Sequence, residues 1–248
     1  MALGSLTTDK LLGGRVTLIQ PEHGYRTAID PILLAAAVPA RSGNEILEVG
    51  SGTGAASFCL AARVPDIQIT GLELQSTLVD LANESARLNG KNQNVKFFYG
   101  DLLFPPCTLP SYQFDHVMAN PPYFMRGQSI SSPNPQKEKA YVEGKAGLSD
   151  WINFALKMLR DGGTATFIHR YDRQDEVISS LAKGAGDIVI FPLWPKTPRR
   201  SAKRVIVQGR KGMKGSITLA KGVVLHDDKG KFTQQASKIL RDASGLKL

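Results

Sequence analysis

The chain has 248 residues, of which 42% are hydrophobic and 21% charged, with a formal net charge of +9 and two cysteines. That composition supports one large core or two small ones and excludes wholesale disorder. The longest apolar run, Ile32 to Val38, is far short of the about 20 residues of a membrane span, the N-terminus carries no secretion signal, and neither Cys59 nor Cys107 sits in a CxxC, which excludes a disulfide scaffold or zinc ribbon and points to a reducing cytoplasm.

Residues 1–44 precede the first core strand. They contain a short apolar helix at Ile32–Val38, with Pro31 suited to its first turn and Asp30 to its N-cap. Glu45–Gly50 reads as a buried strand and Ala55–Arg63 as the helix after it. Gln68–Leu74 is the second strand, followed by an amphipathic helix over Ser76–Leu88 that Asn89-Gly90 stops. Val95–Asp101 and Phe114–Asn120 are the third and fourth strands. Residues 124–147, rich in Ser, Pro, Gly, Lys and Gln, are too long for an ordinary loop and read as a lid. A helix over Asp150–Arg160 takes Ser149 as N-cap and Gly162-Gly163 as its stop. Strand Thr164–Arg170, helix Arg173–Lys183 and strands Ile188–Trp194 and Arg204–Gln208 complete the alternation. The expectation is a single-domain α/β fold, a doubly wound, mostly parallel seven-stranded sheet with helices on both faces. Its core spans 45–212, and 213–248 form a C-terminal extension.

Two segments carry chemistry. Glu48-Val49-Gly50-Ser51-Gly52-Thr53-Gly54 follows the first strand and opens the first helix, at the strand end where ligands bind in such sheets. Glu73, 19 residues beyond Gly54, ends the second strand, and its carboxylate suits the two hydroxyls of a ribose. Gly50-x-Gly52-x-x-Ala55 also satisfies the dinucleotide fingerprint, in which a pyrophosphate sits on the helix N-terminus. Glu48 favours a cationic ligand such as S-adenosyl-L-methionine instead.

The fourth strand ends in Asn120-Pro121-Pro122-Tyr123. The exocyclic amine of a base, or a carboxamide nitrogen, is a poor nucleophile because its lone pair is delocalised. The Asn120 side-chain oxygen and the Pro121 carbonyl, accepting its two hydrogens, draw it toward tetrahedral geometry and free the lone pair for attack on a methyl group. Pro121 and Pro122 fix φ and so pre-position the acceptors, and Tyr123 offers a planar surface for a planar substrate.

The pairing of Glu48–Gly54 with Asn120–Tyr123 resembles the class I S-adenosylmethionine-dependent methyltransferases that modify planar amino groups, with a Rossmann-like fold. The resemblance implies that Glu48, Gly50, Gly52 and Gly54 hold the methionine end of the cofactor, Glu73 the ribose and Asp101 the adenine. Thr27, Asp30, Ser51, Thr53, Leu74 and Asn120 complete the implied cofactor set, and Asn120 to Tyr123 the catalytic one. Tyr25-Arg26-Thr27-Ala28-Ile29-Asp30-Pro31 is similar to the segment that helps close the cofactor pocket in the small-domain branch. Within that branch the chain resembles the bacterial tRNA adenine-N6 methyltransferases acting on the valine tRNA anticodon loop, a likeness shared by Ala202-Lys203-Arg204-Val205. Asp227–Leu248 has no counterpart there.

The charge is uneven. Between Ile188 and His226 lie Lys196, Arg199, Arg200, Lys203, Arg204, Arg210, Lys211, Lys214 and Lys221 with no acid among them, and the rest of the chain is formally neutral. Such a field attracts polyanions; a solvated basic face is the other reading. The expected partner is RNA, above all tRNA, held through Lys196, Arg199, Arg200, Lys203 and Arg204, with its target base unstacked to reach the strand ends. The scattered histidines show no metal-ligand spacing, so neither a metal nor a membrane partner is expected, and the expected location is the cytoplasm. The alternatives are a protein glutamine methyltransferase, whose relatives carry a larger N-terminal helical domain, a guanine-N2 RNA methyltransferase, a small-molecule methyltransferase, and an NAD-dependent oxidoreductase, which leaves Asn120–Tyr123 unexplained. Trp151 and Phe154 read as core. Trp194 reads either as core or as a stacking surface for RNA.

Overall fold

The computed structural model describes residues 5–23, 26–109, 114–123, 144–196 and 201–248. Its elements run β1 (Leu6–Leu11), β2 (Val16–Pro21), α1 (Asp30–Ala37), β3 (Glu45–Val49), α2 (Ala55–Arg63), β4 (Gln68–Glu73), α3 (Ser76–Leu88), β5 (Val95–Tyr99), β6 (Phe114–Ala119), α4 (Leu148–Met158), β7 (Leu159–Arg170), α5 (Gln174–Leu181), β8 (Ala185–Trp194), β9 (Arg204–Lys211), β10 (Ile217–Leu219), β11 (Val223–Val224) and α6 (Gln234–Asp242). Most of the expected lid, 124–143, lies outside the described residues, as do Tyr25, Arg199 and Arg200.

The main sheet runs β10-β8-β9-β7-β6-β3-β4-β5, and β11 also pairs with β8. Among the described strands of this sheet only β9 runs antiparallel to its neighbours. A parallel sheet is covered on both faces, which is why β3 from Ile46 onward and all of β6 are continuously buried. Alternate residues serve two separate cores. Ile46, Ile69, Met118 and Ile168 pack beneath α1, α2 and α3, while Leu47, Leu72, Val117 and Phe167 pack beneath α4 and α5.

Among the described residues the sheet has nine strands rather than seven, because β10 and β11 from the expected extension pair with β8. The same segment supplies α6, whose Ala236, Ile239 and Leu240 enter the core beneath α1. At the other end β1 and β2 form an antiparallel hairpin within the segment that precedes the first core strand. The hairpin is tied to α3 by hydrogen bonds from Thr17 N–H to Asn89 Oδ1 (2.8 Å) and from Ile19 N–H to Ser85 Oγ (3.0 Å).

Three further expectations are corrected. Asp30 is the first helical residue of α1, not its cap, which frees its carboxylate for other partners. Helix α4 is capped at Gly147, not Ser149, with the Gly147 N–H donating to the Asp150 carboxylate (2.9 Å). Gly162-Gly163 does not end that helix but lies inside β7, where the register against β6 slips between Phe114 and His116. A side chain on Gly163 would run into the Asp115 carbonyl, so the glycines build a bulge. Among the described residues no helix is long and apolar enough to cross a membrane.

Ile239, 2% exposed, tests whether the C-terminal helix belongs to the same cooperative unit. Ile239→Ala is expected to lower the unfolding free energy by about 2–5 kcal/mol. Urea titration followed by far-ultraviolet circular dichroism should show one transition shifted as a whole. A separate early transition would detach α6 from the core.

Candidate active site at the carboxyl edge

Chain order reverses around β3, which is flanked by β4 on one side and β6 on the other; this is where open α/β sheets bind ligands. Val49 lies level with Leu72 and Ala119, and Glu73 with Tyr99. The loops that follow therefore bring the glycine loop, Glu73-Leu74, Asp101 and Asn120–Tyr123 to one edge.

Each loop glycine has its own reason. Gly50 (φ +67°) lies against the Trp151 ring, and Gly54 (φ +86°) against Phe58 and Phe97, so any side chain at either would collide. Gly52 (φ +55°) faces open space, leaving its backbone approachable by a ligand. The loop is anchored by Gly50 N–H to the Leu72 carbonyl at 2.8 Å and Gly54 N–H to the Ser51 carbonyl at 2.8 Å. Trp151 packs as half-buried support and Phe154 is core, as expected.

Two buried carboxylates flank the loop. Glu48 Oε2 accepts from the Ser57 N–H (3.0 Å) and hydroxyl, which fastens the strand end to α2. Burial, with a smaller contribution from nearby Glu73, pushes its carboxyl up to about 8. Glu73 accepts from Gly52 N–H and Gln75 N–H, both at 2.9 Å; burial raises its carboxyl too, and these bonds partly offset the rise. Leu74 beside it is 59% exposed. Asp101 accepts from Leu103 N–H (2.9 Å) and so holds its own turn. Thr53 is half-buried.

Two side-chain oxygens at this edge, Ser51 Oγ and Asn120 Oδ1, are buried without a hydrogen-bond partner. Leaving such atoms unpaired costs about 1–3 kcal/mol each, so they mark where a ligand's donors belong. The two acids, the two acceptors and the open backbone at Gly52 form a donor-poor, acceptor-rich cradle. It fits a ligand that bears an ammonium, a cationic centre and ribose hydroxyls, as S-adenosyl-L-methionine does.

Pro121 is buried, Pro122 half-buried, and Tyr123 is nearly enclosed. The Tyr123 hydroxyl donates to Asp30 Oδ2 (2.6 Å), which also accepts from Arg204 Nε (3.1 Å). The Arg204 guanidinium lies over the Tyr123 ring, 4.3 Å from its centre. Sequence reading missed His169. It is fully buried at the end of β7, its ring meets Tyr123 edge-on at 5.4 Å, and its Nε2 hydrogen-bonds the Pro122 carbonyl (3.2 Å). A carbonyl only accepts, so Nε2 carries the proton, and burial holds the imidazole neutral, down to about 4. A histidine inside the expected strand Thr164–Arg170 was the available signal.

The segment before the core is bound to the hairpin. Asp9 pairs with Arg26 (2.7 Å), and Gln20 Oε1 accepts from Thr27 N–H (2.8 Å). The basic stretch is not one patch. Strand β9 carries Arg204 at the carboxyl edge opposite Arg170, and Arg210 opposite Thr164 toward the other edge, about 20 Å away at the usual strand rise. Lys196, Lys203 and Lys221 lie at the carboxyl edge, whereas Lys211 and Lys214 lie with Arg210. Trp194 is half-buried, paired with Tyr171 at 6.3 Å, and donates to the Lys221 carbonyl (3.1 Å).

The methyltransferase small-domain family matches residues 28–134. A tRNA1(Val) (adenine(37)-N6)-methyltransferase of Haemophilus influenzae is 27% identical over 90% of this chain and 93% of its own length. The enzyme of the same name from Vibrio campbellii is 29% identical over 59% of this chain, and the match spans only 59% of that relative's length. The crystal structure of a predicted O-methyltransferase from Agrobacterium tumefaciens superposes with a TM-score of 0.72 at 24% identity, covering 88% of this chain and 98% of that one, which establishes the fold.

The raised Glu48 carboxyl has a measurable sign. The folded chain keeps a proton that the unfolded chain, with the ordinary value of 4.5, releases. Its contribution to stability is therefore full below about pH 4.5 and lost as pH rises through about 8. Thermal unfolding of the ligand-free protein between pH 5 and 8.5 should show a falling midpoint, and Glu48→Gln should flatten it. An unchanged slope in the variant would remove Glu48 as its source.

Proposed function

We propose that this chain is an S-adenosylmethionine-dependent methyltransferase of the small-domain family and that it methylates the exocyclic amine of adenine in RNA, with tRNA as the substrate. The observation that carries the chemistry is the buried, unpartnered Asn120 Oδ1 at the end of β6, beside the acidic cradle. In this reading the glycine loop, Glu48, Ser51, Thr53, Glu73, Leu74 and Asp101 hold the cofactor, which supplies an electrophilic methyl group. The hairpin and the Thr27–Asp30 segment close the pocket from the N-terminal side, and 124–147 act as a lid.

Asn120 Oδ1 and the Pro121 carbonyl each accept one hydrogen of the target amine. That arrangement pyramidalises the nitrogen and turns its lone pair toward the methyl group. The nitrogen–carbon bond forms as the methyl group leaves its sulfur, and the nitrogen sheds one proton to water. Neutral His169 holds the Pro122 carbonyl and keeps the tetrad backbone in register. Tyr123 stacks on the extruded base.

RNA is supported by the exposed Lys203 and Lys221 and the half-buried Lys196, which share the edge of the acceptors. Arg210, Lys211 and Lys214 belong to the opposite edge and have no part in this footprint.

Two experiments test the reading. Methyl transfer from isotope-labelled S-adenosylmethionine into total RNA, followed by nucleoside mass spectrometry, should yield labelled N6-methyladenosine in the tRNA fraction. Asn120→Ala should lower kcat by about 10²-fold or more while calorimetry finds cofactor binding retained. Label in protein carboxamide and none in RNA would replace the substrate with a glutamine side chain. Replacing Lys203 and Lys221 with alanine should reduce the salt dependence of RNA binding by about 0.7–0.9 per lost phosphate contact, and replacing Arg210 and Lys214 should leave it unchanged. The reverse pattern would move the footprint to the other edge.

A further inference from the structure

We propose that Asp30 and Arg204 act together as positioning residues for Tyr123, and that neither serves the cofactor or the RNA backbone directly. The proposal rests on the reading of Tyr123 as the surface that meets the target base.

A single atom joins the three residues. Asp30 Oδ2 receives the Tyr123 hydroxyl at 2.6 Å and Arg204 Nε at 3.1 Å, from chain segments 93 and 174 residues away. Arg204 then lies over the ring it helps to fix, 4.3 Å from the centroid, a cation–π distance. The Asp30 and Arg204 side chains are only 15% and 32% exposed, so the pair is shielded from the solvent that weakens surface ion pairs. His169 meets the same ring edge-on and holds the backbone of the preceding residue. The ring is thus tied at its hydroxyl, covered on a face and buttressed at an edge.

A planar platform works only if its plane is fixed, because a base stacked on a tilting ring carries its amine away from Asn120 and Pro121. Fixing a tyrosine ring requires a partner for its hydroxyl and contact with its face, and Asp30 and Arg204 supply one each. Both are committed to this task. An Asp30 carboxylate with two donors on one oxygen is a weak ligand for a cofactor ammonium, and an Arg204 guanidinium held by Asp30 and the ring is poorly placed to follow a phosphate. The geometry also explains why the carboxylate sits on the first residue of α1. At that position its charge faces the positive end of the helix while it reaches across to the strand edges.

The test compares Asp30→Asn, Arg204→Ala, Arg204→Lys and Tyr123→Phe with the wild type, after circular dichroism has established that each is folded. Three quantities are read: kcat with saturating cofactor, cofactor Kd by calorimetry, and the salt slope of RNA binding. Asp30→Asn and Arg204→Ala should each lower kcat about tenfold or more, with cofactor Kd within twofold and the salt slope unchanged. The double variant should be little worse than either single one, because the two residues act through one atom. Arg204→Lys should not restore kcat, since an ammonium cannot cover the ring and donate from the side as a guanidinium does. Tyr123→Phe keeps the ring and removes only the tether, and it should reproduce the Asp30→Asn loss.

A reduced salt slope with kcat intact in Arg204→Ala would make Arg204 a phosphate contact. Weakened cofactor binding with kcat intact at saturation in Asp30→Asn would make Asp30 a cofactor residue. Either result, or a wild-type rate in Tyr123→Phe, overturns the proposal. If the wild type itself transfers no methyl group to RNA, the substrate reading fails on its own. The tether is then read from tyrosine-labelled nuclear magnetic resonance, with the Tyr123 signal identified by its loss in Tyr123→Phe. That signal should shift in both Asp30→Asn and Arg204→Ala, and a signal unmoved in both defeats the tether.

Discussion

The parallel pairing of β3 with β4 and β6 sets the height at which these three strands end, and the site follows from it. Because Val49 is level with Leu72 on one side and Ala119 on the other, the loop after β3 and the tetrad after β6 emerge side by side. A slip of one residue in either pairing would turn Glu48 or Asn120 to the other face of the sheet. Two apolar cores, one on each face, pin that register by burying alternate residues of the same strands. The stability of the fold and the placement of the chemistry are one constraint.

Against that stable frame the carboxyl edge is electrostatically incomplete. It gathers two buried acids whose carboxyls are both raised and two buried oxygens without donors. An edge built for packing alone would have neutralised or paired these groups, as the same protein does elsewhere. Buried His116 bonds Thr164 Oγ1 at 2.7 Å and Asn44 Oδ1 at 3.2 Å, and Asp115 takes the Glu45 N–H and Arg160. These bonded or ion-paired groups contrast with Ser51 Oγ and Asn120 Oδ1 at the carboxyl edge, which no donor reaches.

Much of the frame was readable from local pattern. Helices α2 and α3 fall where helical spacing and Asn89-Gly90 put them, and the strands from β3 to β6 follow their apolar runs to within a residue or two. The glycine loop, Glu73, Asp101 and Asn120 converge because strand ends in a parallel sheet converge whatever the intervening sequence. What local pattern could not carry was anything decided by distant partners. Arg204 looked like a phosphate contact because its neighbours in sequence are basic, whereas its neighbours in space are Asp30 and Tyr123. Gly162-Gly163 looked like a helix stop because the register slip it permits depends on β6. Strands β10 and β11 are three and two residues long, too short for either to display a strand period.

The tie between the two ends of the described chain has a consequence for how the protein is made. The core beneath α1 includes Leu12, Val16 and Leu18 from the first elements and Ala236, Ile239 and Leu240 from the last, and Leu246 N–H bonds the Ala36 carbonyl at 2.7 Å. During vectorial synthesis that face stays open to water until α6 has left the ribosome, more than 200 residues after the hairpin that it meets. The other core, beneath α4 and α5, closes earlier. The nascent chain therefore carries a finished layer and an unfinished one at the same time, and the unfinished one exposes the apolar α1 for the longest interval. A chaperone or a protease would encounter the protein there first.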